Sequence, residues 1–181
     1  DRLDELIFDL RLADTTDRVA MAEVCRTVPT ASSDDPYSSY FADMANRMDN
    51  MNVAGHLTGS IDLVLRLDGP RFLVVDYKSN RAHPPGDPSW LDHYEEAPLR
   101  EEMIKHNYPL QVFLYSVALH RYLRWRLPDY DPSAHLAGSA YLFLRGMVGP
   151  PGTDGRTTGV TCWRPPIEAI LSADRILAGD Q

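Results

Sequence analysis

Apolar and polar residues alternate through "DELIFDLRL", with Leu6, Phe8, Leu10 and Leu12 in step, and a period of two predicts a strand beginning almost at the first residue. A chain that opens in mid-strand is expected to be a fragment of something longer. Residues 15 to 28 read as a helix, "PTASSDDPYSS" as a loop by its Pro, Ser and Asp content, and "FADMANRMDNM" as a Met-rich stretch after it. From His56 to Asn80 the period of two returns in "LTGSIDLVLRL", a "DGP" turn and "RFLVVDYK", which predicts a β-hairpin. The Pro-rich, acidic "RAHPPGDPSWLDHYEEAPLR" is predicted to be a surface loop. A helix should start near Pro109, a residue suited to the first helical position, and run to about Leu127. "AGSAYLFLRG" reads as a strand, "MVGPPGTDGRT" as a long loop, "TGVTCW" as a short strand, and "PPIEAILSADRILAG" as a final helix with Pro at its start and Gly at its end. Strand, hairpin, helix, strand, strand, helix is the order of a mixed α/β or α+β domain.

The hairpin places chemistry. Side chains alternate faces along a strand, so Asp76 and Lys78 point the same way as Phe72 and Val74, while Leu73, Val75 and Tyr77 point to the other face. Both faces are mostly apolar, as in a central strand, where an unpaired charge costs several kcal/mol. If Asp68-Gly69-Pro70 forms the turn, Leu67 faces Arg71 and, counting back, Asp62 stands opposite Asp76. A turn of a different length would separate the two acids. Facing carboxylates repel, and either a shared proton or a divalent cation relieves them. Alone, a strand-end Asp is a turn former and a strand-end Lys a snorkelling edge residue. Two acids and a lysine gathered on an apolar face outline a metal-assisted phosphodiester hydrolysis site instead.

On the predicted helix Leu114, Trp125, Ala118, Tyr122, Tyr115, Leu119, Val112 and Leu123 spread over one half, with Gln111 near its middle and His120, Arg121 and Arg124 opposite. A buried amide needs a partner. As a capping-box residue Gln111 would need Tyr108 as its cap, which tyrosine cannot serve, leaving a satisfied core amide or a site residue. Tyr115, on the same face, reads first as a core aromatic whose hydroxyl finds a neighbour.

Composition adds limits. The chain has 181 residues, 44% hydrophobic and 24% charged, enough for one globular domain with its own core. No apolar run reaches membrane-span length and nothing resembles a signal peptide, so a cytoplasmic location is expected. Cys25 and Cys162 lack metal-ligand spacing and are expected to be free thiols. The net charge of -8 argues against a metal-independent domain that grips nucleic acid through a basic surface. The acids crowd around Asp87 to Glu102, while Arg121, Arg124, Arg126, Arg145, Arg156 and Arg164 come later. There is no Gly-x-x-x-x-Gly-Lys-Ser/Thr stretch for ATP.

The segments "GSIDLVLRLDGPRFLVVDYKSN", "HNYPLQVFLYSVALHRYLRWRLPDYD" and "AYLFLRG" together resemble the C-terminal nuclease domain of the RecB family, the helicase–nuclease subunits of bacterial RecBCD, within the PD-(D/E)XK nuclease superfamily. The resemblance runs from about Glu5 to the last helix. It implies an α/β, restriction-endonuclease-like core, a central mixed sheet flanked by helices. It also implies a single nuclease domain over residues 1–181, expected to be a C-terminal fragment of a larger helicase–nuclease subunit. Its implied site has Asp62, Asp76 and the Tyr77 backbone carbonyl as metal ligands, Glu5 as a further acid on the first strand, and Lys78 as the catalytic lysine. Gln111 and Tyr115 match the family's Gln-x-x-x-Tyr motif. The family's upstream histidine ligand is expected before the first residue here. His56, six residues from Asp62 along an extended strand, would lie roughly 20 Å away and is no substitute. The implied activity is a Mg²⁺-dependent deoxyribonuclease of exonuclease V type in break repair and recombination, with Mn²⁺ or Ca²⁺ able to occupy the site. Implied partners are DNA as a single strand or unwound duplex end, RecC-like and RecD-like subunits, and a RecA recombinase. The rival expectation is an idle module that docks a partner subunit or recombinase.

Overall fold

Asp68-Gly69-Pro70 does form the turn, between strands β4 (His56–Leu67) and β5 (Arg71–Lys78), with Leu67 opposite Arg71 and Leu63 opposite Val75. The expected register therefore holds, and its next step is Asp62 with Asp76. The computed structural model describes residues 1–12, 19–148 and 157–179. Strand β1 (Arg2–Arg11) runs antiparallel to β4. Strand β6 (Leu136–Phe143) lies parallel to β5, and β7 (Val160–Trp163) closes the sheet antiparallel to β6. The order β1-β4-β5-β6-β7 is a mixed five-stranded sheet with β5, the strand of Asp76 and Lys78, at its centre. A separate ribbon pairs β2 (Val19–Ala20) with β3 (Asn52–Val53).

Among the described residues six helices accompany the sheet: α1 (Met21–Ala31), α2 (Ser38–Arg47), α3 (Glu96–Lys105), α4 (Tyr108–Arg126), the single turn α5 (Pro132–His135) and α6 (Ile167–Ala178). The apolar sides of all but α5 meet Leu6, Ile61, Val64, Val74, Tyr141 and Phe143 of the sheet in one large core. A smaller cluster of Leu63, Val75 and Ala140 occupies the opposite face. Two helix boundaries have a clear local cause. Pro109 sits in the first turn of α4, and Gly179 ends α6 at φ 83°, where a side chain would be strained. Gly138 (φ 97°) is required for a different reason: a Cβ there would come within 2.6 Å of the Trp163 carbonyl oxygen on β7. Among the described residues no helix is long and apolar enough to cross a membrane, and Cys25 and Cys162 are free.

Several expectations need correction. The helix expected over 15–28 begins at Met21 among the described residues, and 13–18 lie outside them. It continues through Pro29 to Ala31, so the expected loop loses its first residues to α1 and its last to α2. The segment 81–100 is not all surface loop: a 3-10 helix spans Trp90–Tyr94 and α3 starts at Glu96. Tyr94 and Leu99 are fully buried, and these few apolar side chains outweigh the acidic composition around them. Strand β6 stops at Phe143, with a 3-10 turn at Leu144–Gly146; of the loop expected after it, 149–156 lie outside the described residues. The faces of α4 also differ from the wheel. His120 is buried and Trp125 is 77% exposed, because α6 packs against the polar side and draws His120, Arg121 and Arg124 toward Asp174. Tyr77 does not pack the far face but is 46% exposed.

Candidate active site

The β4–β5 ladder ends at the acids, and the reason is chemical. Beyond Leu63 and Val75 the Tyr77 N–H donates to Asp62 Oδ2 at 3.1 Å, so a side chain takes over where a backbone carbonyl would continue the ladder. On the other side of β4, Glu5 is the residue that register places opposite Asp62, and it is skipped in the β1 pairing with φ 54°. The sheet is thus irregular on both sides of Asp62. Apolar packing changes parity there: Ile61 joins the main core, and so does Val64 instead of Leu63.

Asp76 is 3% exposed. Burial pushes its carboxyl above the usual range, Lys78 beside it offsets this only in part, and the nearby Asp62 adds to the rise. Lys78 Nζ pairs with Asp76 Oδ2 at 2.6 Å, and among the described residues no other donor reaches that buried oxygen. A buried carboxylate met by a single ammonium, with a second acid in range, suits a hard divalent cation, which takes one or two carboxylates and keeps waters. Asp62, Asp76 and the carbonyl of Tyr77 could hold one. Glu5, like Asp62, is exposed and stands on the far side of β4 from Asp76, and among the described residues no three His, Cys, Asp or Glu gather into a metal cluster. His56 is engaged elsewhere, 2.6 Å from Asp9.

Gln111 turns out to be neither a cap nor an idle core amide. Its Oε1 accepts from Lys78 Nζ at 3.0 Å and from the Tyr141 hydroxyl at 3.0 Å, while its Nε2 donates to the Tyr115 hydroxyl at 2.9 Å. The face of α4 thereby meets the end of β5, and Lys78 is fixed by an amide on one side and a carboxylate on the other. Tyr115 packs edge-on against Phe8 of β1, with ring centroids 5.8 Å apart. Phe8 can lie there because its β4 neighbour is glycine: a Cβ on Gly59 would fall 2.5 Å from the Phe8 ring.

Two residues escaped the sequence reading. Tyr108 places its ring 4.0 Å from Lys78 Nζ, a cation–π contact, and donates through its hydroxyl to Asn80. Tyr141, opposite Asp76 in the parallel register, is fully buried, with its hydroxyl pushed far up by burial and by the charge on Asp76. Both keep their protons, so Tyr141 serves Gln111 as a donor. The signal for Tyr141 was available only through the β5–β6 pairing. That for Tyr108 lay in its position one residue before Pro109.

Comparison with known proteins places the chain in a family. Residues 10–159 match the family model of the PD-(D/E)XK nuclease superfamily. The chain is 42% identical over 186 residues to the RecBCD enzyme subunit RecB of Mycobacterium tuberculosis, covering 98% of this chain and 16% of that protein. It is 40% identical over 148 residues to the subunit of Mycolicibacterium smegmatis, covering 80% of this chain and 14% of the relative. For Escherichia coli RecB the identity is 40% over 133 residues, 71% of this chain and 10% of the relative. The chain thus spans less than a fifth of the length of the curated relatives it matches.

Proposed function

Because the chain belongs to the PD-(D/E)XK nuclease superfamily, we propose that it is the DNA nuclease domain of a RecB-like subunit, hydrolysing phosphodiester bonds with Mg²⁺ in exonuclease V fashion. The observation that carries this reading is Asp76: a buried acid with Asp62 nearby, paired at 2.6 Å with a lysine that Gln111 and Tyr108 hold in place. Asp62, Asp76 and the Tyr77 carbonyl are the groups to hold the ion, with Mn²⁺ or Ca²⁺ as alternatives. When bound, the ion neutralises phosphate charge and makes water a better nucleophile.

The chain's own residues supply the rest. Lys78, anchored through Gln111, orients an attacking water and offsets the charge that builds on the phosphoryl oxygens as the P–O bond to the leaving strand breaks. Gln111 fixes where that ammonium sits, Tyr141 holds Gln111, and Tyr115 and Tyr108 wall the site. Glu5, exposed on β1, is at most an outer acid near Asp62. DNA as a single strand or unwound end is the proposed substrate, and RecC-like and RecD-like subunits are the proposed partners of the longer protein. No residue here argues for a RecA-type recombinase. The test is cleavage of linear DNA with Mg²⁺ by the wild type, Asp76→Ala and Lys78→Ala. Each substitution is expected to reduce the rate at least about a hundredfold, and unchanged cleavage by either variant sinks the assignment.

A further inference from the structure

Residues Gln111, Tyr115, Ala118, Tyr122 and Trp125 follow one another at steps of four and three along α4, so they form a single stripe about 20 Å long. Its first two members lie in the site described above. Its last three line an open groove of about 300 Å³ between α4 and the edge strand β1, with Phe8, Ile7 and Leu10 on the opposite wall. Phe8 joins the two regions, since it lines the groove and packs against Tyr115. At the far end Trp125 is 77% exposed and carries Arg126 at 5.3 Å from its ring. Ile7 is also 77% exposed at the groove mouth. An indole this open contributes little to the fold.

Charge decides what fits. On a chain of net charge -8, the groove is lined by Arg11 and Arg121 against Asp9, with Arg126 against Trp125 at its outer end and Arg124 beside Arg121 on Asp174. Asp174 is buried and bonded to Arg121 and Arg124, and Asp9 faces His56. Aromatic faces next to guanidinium groups are how sequence-tolerant proteins hold single-stranded nucleic acid, by stacking bases and attracting the backbone.

We propose that the α4–β1 groove is the track for single-stranded DNA, with Trp125 stacking a base at its outer end and Tyr122 continuing the path toward Gln111 and Lys78. This rests on the nuclease reading for its direction but not for its test. Binding of a fluorescently labelled single-stranded oligonucleotide is measured by anisotropy without metal, so that no cleavage occurs. The loss of one stacked base predicts that Trp125→Ala weakens binding about tenfold, equal to about 1.4 kcal/mol. Ile7→Glu, which sets a like charge at the groove mouth, is expected to weaken it similarly. Arg175→Ala, an exposed arginine on α6 outside the groove, should change binding less than twofold. All three positions are solvent-exposed, and unchanged circular dichroism confirms the fold. Equal affinity of Trp125→Ala and wild type overturns the track, as does an equal loss in the Arg175→Ala control. If Trp125→Ala binds DNA normally but no longer associates with a partner subunit, the groove is a protein docking site instead. Loss of cleavage in Asp76→Ala with unchanged binding in Trp125→Ala would refute the track while leaving the nuclease assignment standing.

Discussion

Replacing Gln111 by leucine removes three hydrogen bonds at once, and the three donors and acceptors left behind fare differently. Lys78 keeps Asp76 at 2.6 Å. Tyr115 is half-buried and can reach water. Tyr141 is fully buried, and its hydroxyl, bonded only through Gln111 Oε1 among the contacts described, is stranded. A stranded buried hydroxyl costs about 1 to 3 kcal/mol, and the added apolar burial of leucine returns part of it, so Gln111→Leu should lose about 2 kcal/mol. Tyr141→Phe alone loses one hydrogen bond while Gln111 keeps Lys78, or about 1 kcal/mol. In the double variant no hydroxyl remains to strand, and the combined loss should fall short of the sum by at least about 1 kcal/mol. Urea denaturation of the four proteins of this cycle, with a common slope, measures the coupling. Losses that add to within about 0.4 kcal/mol would mean that Gln111 does not satisfy Tyr141 in solution, and its role in holding Lys78 would fall with it.

Ca²⁺ at a hundred times its dissociation constant should stabilise the wild type by about 2.7 kcal/mol, several degrees in melting temperature, and Asp76→Ala should abolish the shift in differential scanning calorimetry. Asp174 has its carboxyl held well below the usual range: His120, Arg121 and Arg124 more than compensate its burial. Its stability contribution is full above the ordinary aspartate range near about 4 and is lost as pH falls through the lowered folded value. Asp174→Asn should therefore cost about 3 kcal/mol at pH 7 and flatten the acid limb of the stability profile. Asp76 has the opposite sign: its raised carboxyl costs the metal-free fold stability as pH rises from the ordinary range through the raised one, so Asp76→Asn should be at least as stable as wild type at pH 7 by chemical denaturation. Leu99→Ala, in the segment whose composition suggests a surface loop, should lose about 3 kcal/mol in the same assay, and a loss below 1 kcal/mol would show that α3 does not pack in solution.

What could be read from the chain was whatever rests on local periodicity. The "DGP" turn and a period of two give the β4–β5 register, whose next step is Asp62 with Asp76, and the same period sets Lys78 beside Asp76. The β5–β6 pairing is parallel and joins segments separated by α3, α4 and α5, so no local pattern reveals that Tyr141 stands beside Asp76. The wheel of α4 misleads for a physical reason. The helix is buried on much of its circumference, and Asp174 on α6 turns Arg121 inward where a wheel reads an arginine as solvent-facing. Likewise Tyr94 and Leu99 are core residues in an acidic, Pro-rich stretch, since a few buried side chains decide packing whatever the mean composition.

Two features of the site pull against stability in the same place. The strand ladder breaks at Asp62, whose carboxylate takes the Tyr77 N–H, and an acid with a raised carboxyl is buried one residue before Tyr77. Regular pairing with an apolar residue at 76 would make a sounder sheet, as it does from Val75 to Arg71. The irregularity sets the Asp62 carboxylate at the Tyr77 N–H and the Asp76 carboxylate at Lys78, in place of regular ladder pairing. The acidic balance of the chain is then no obstacle to DNA. On the proposed reading, a cation held by Asp62 and Asp76 would reverse the local field at the site, and the arginines along α4 would favour a strand in the proposed groove. Raising ionic strength should therefore weaken strand binding while affecting the metal-induced stabilisation less, because the exposed arginines are screened and the buried Asp76 is not.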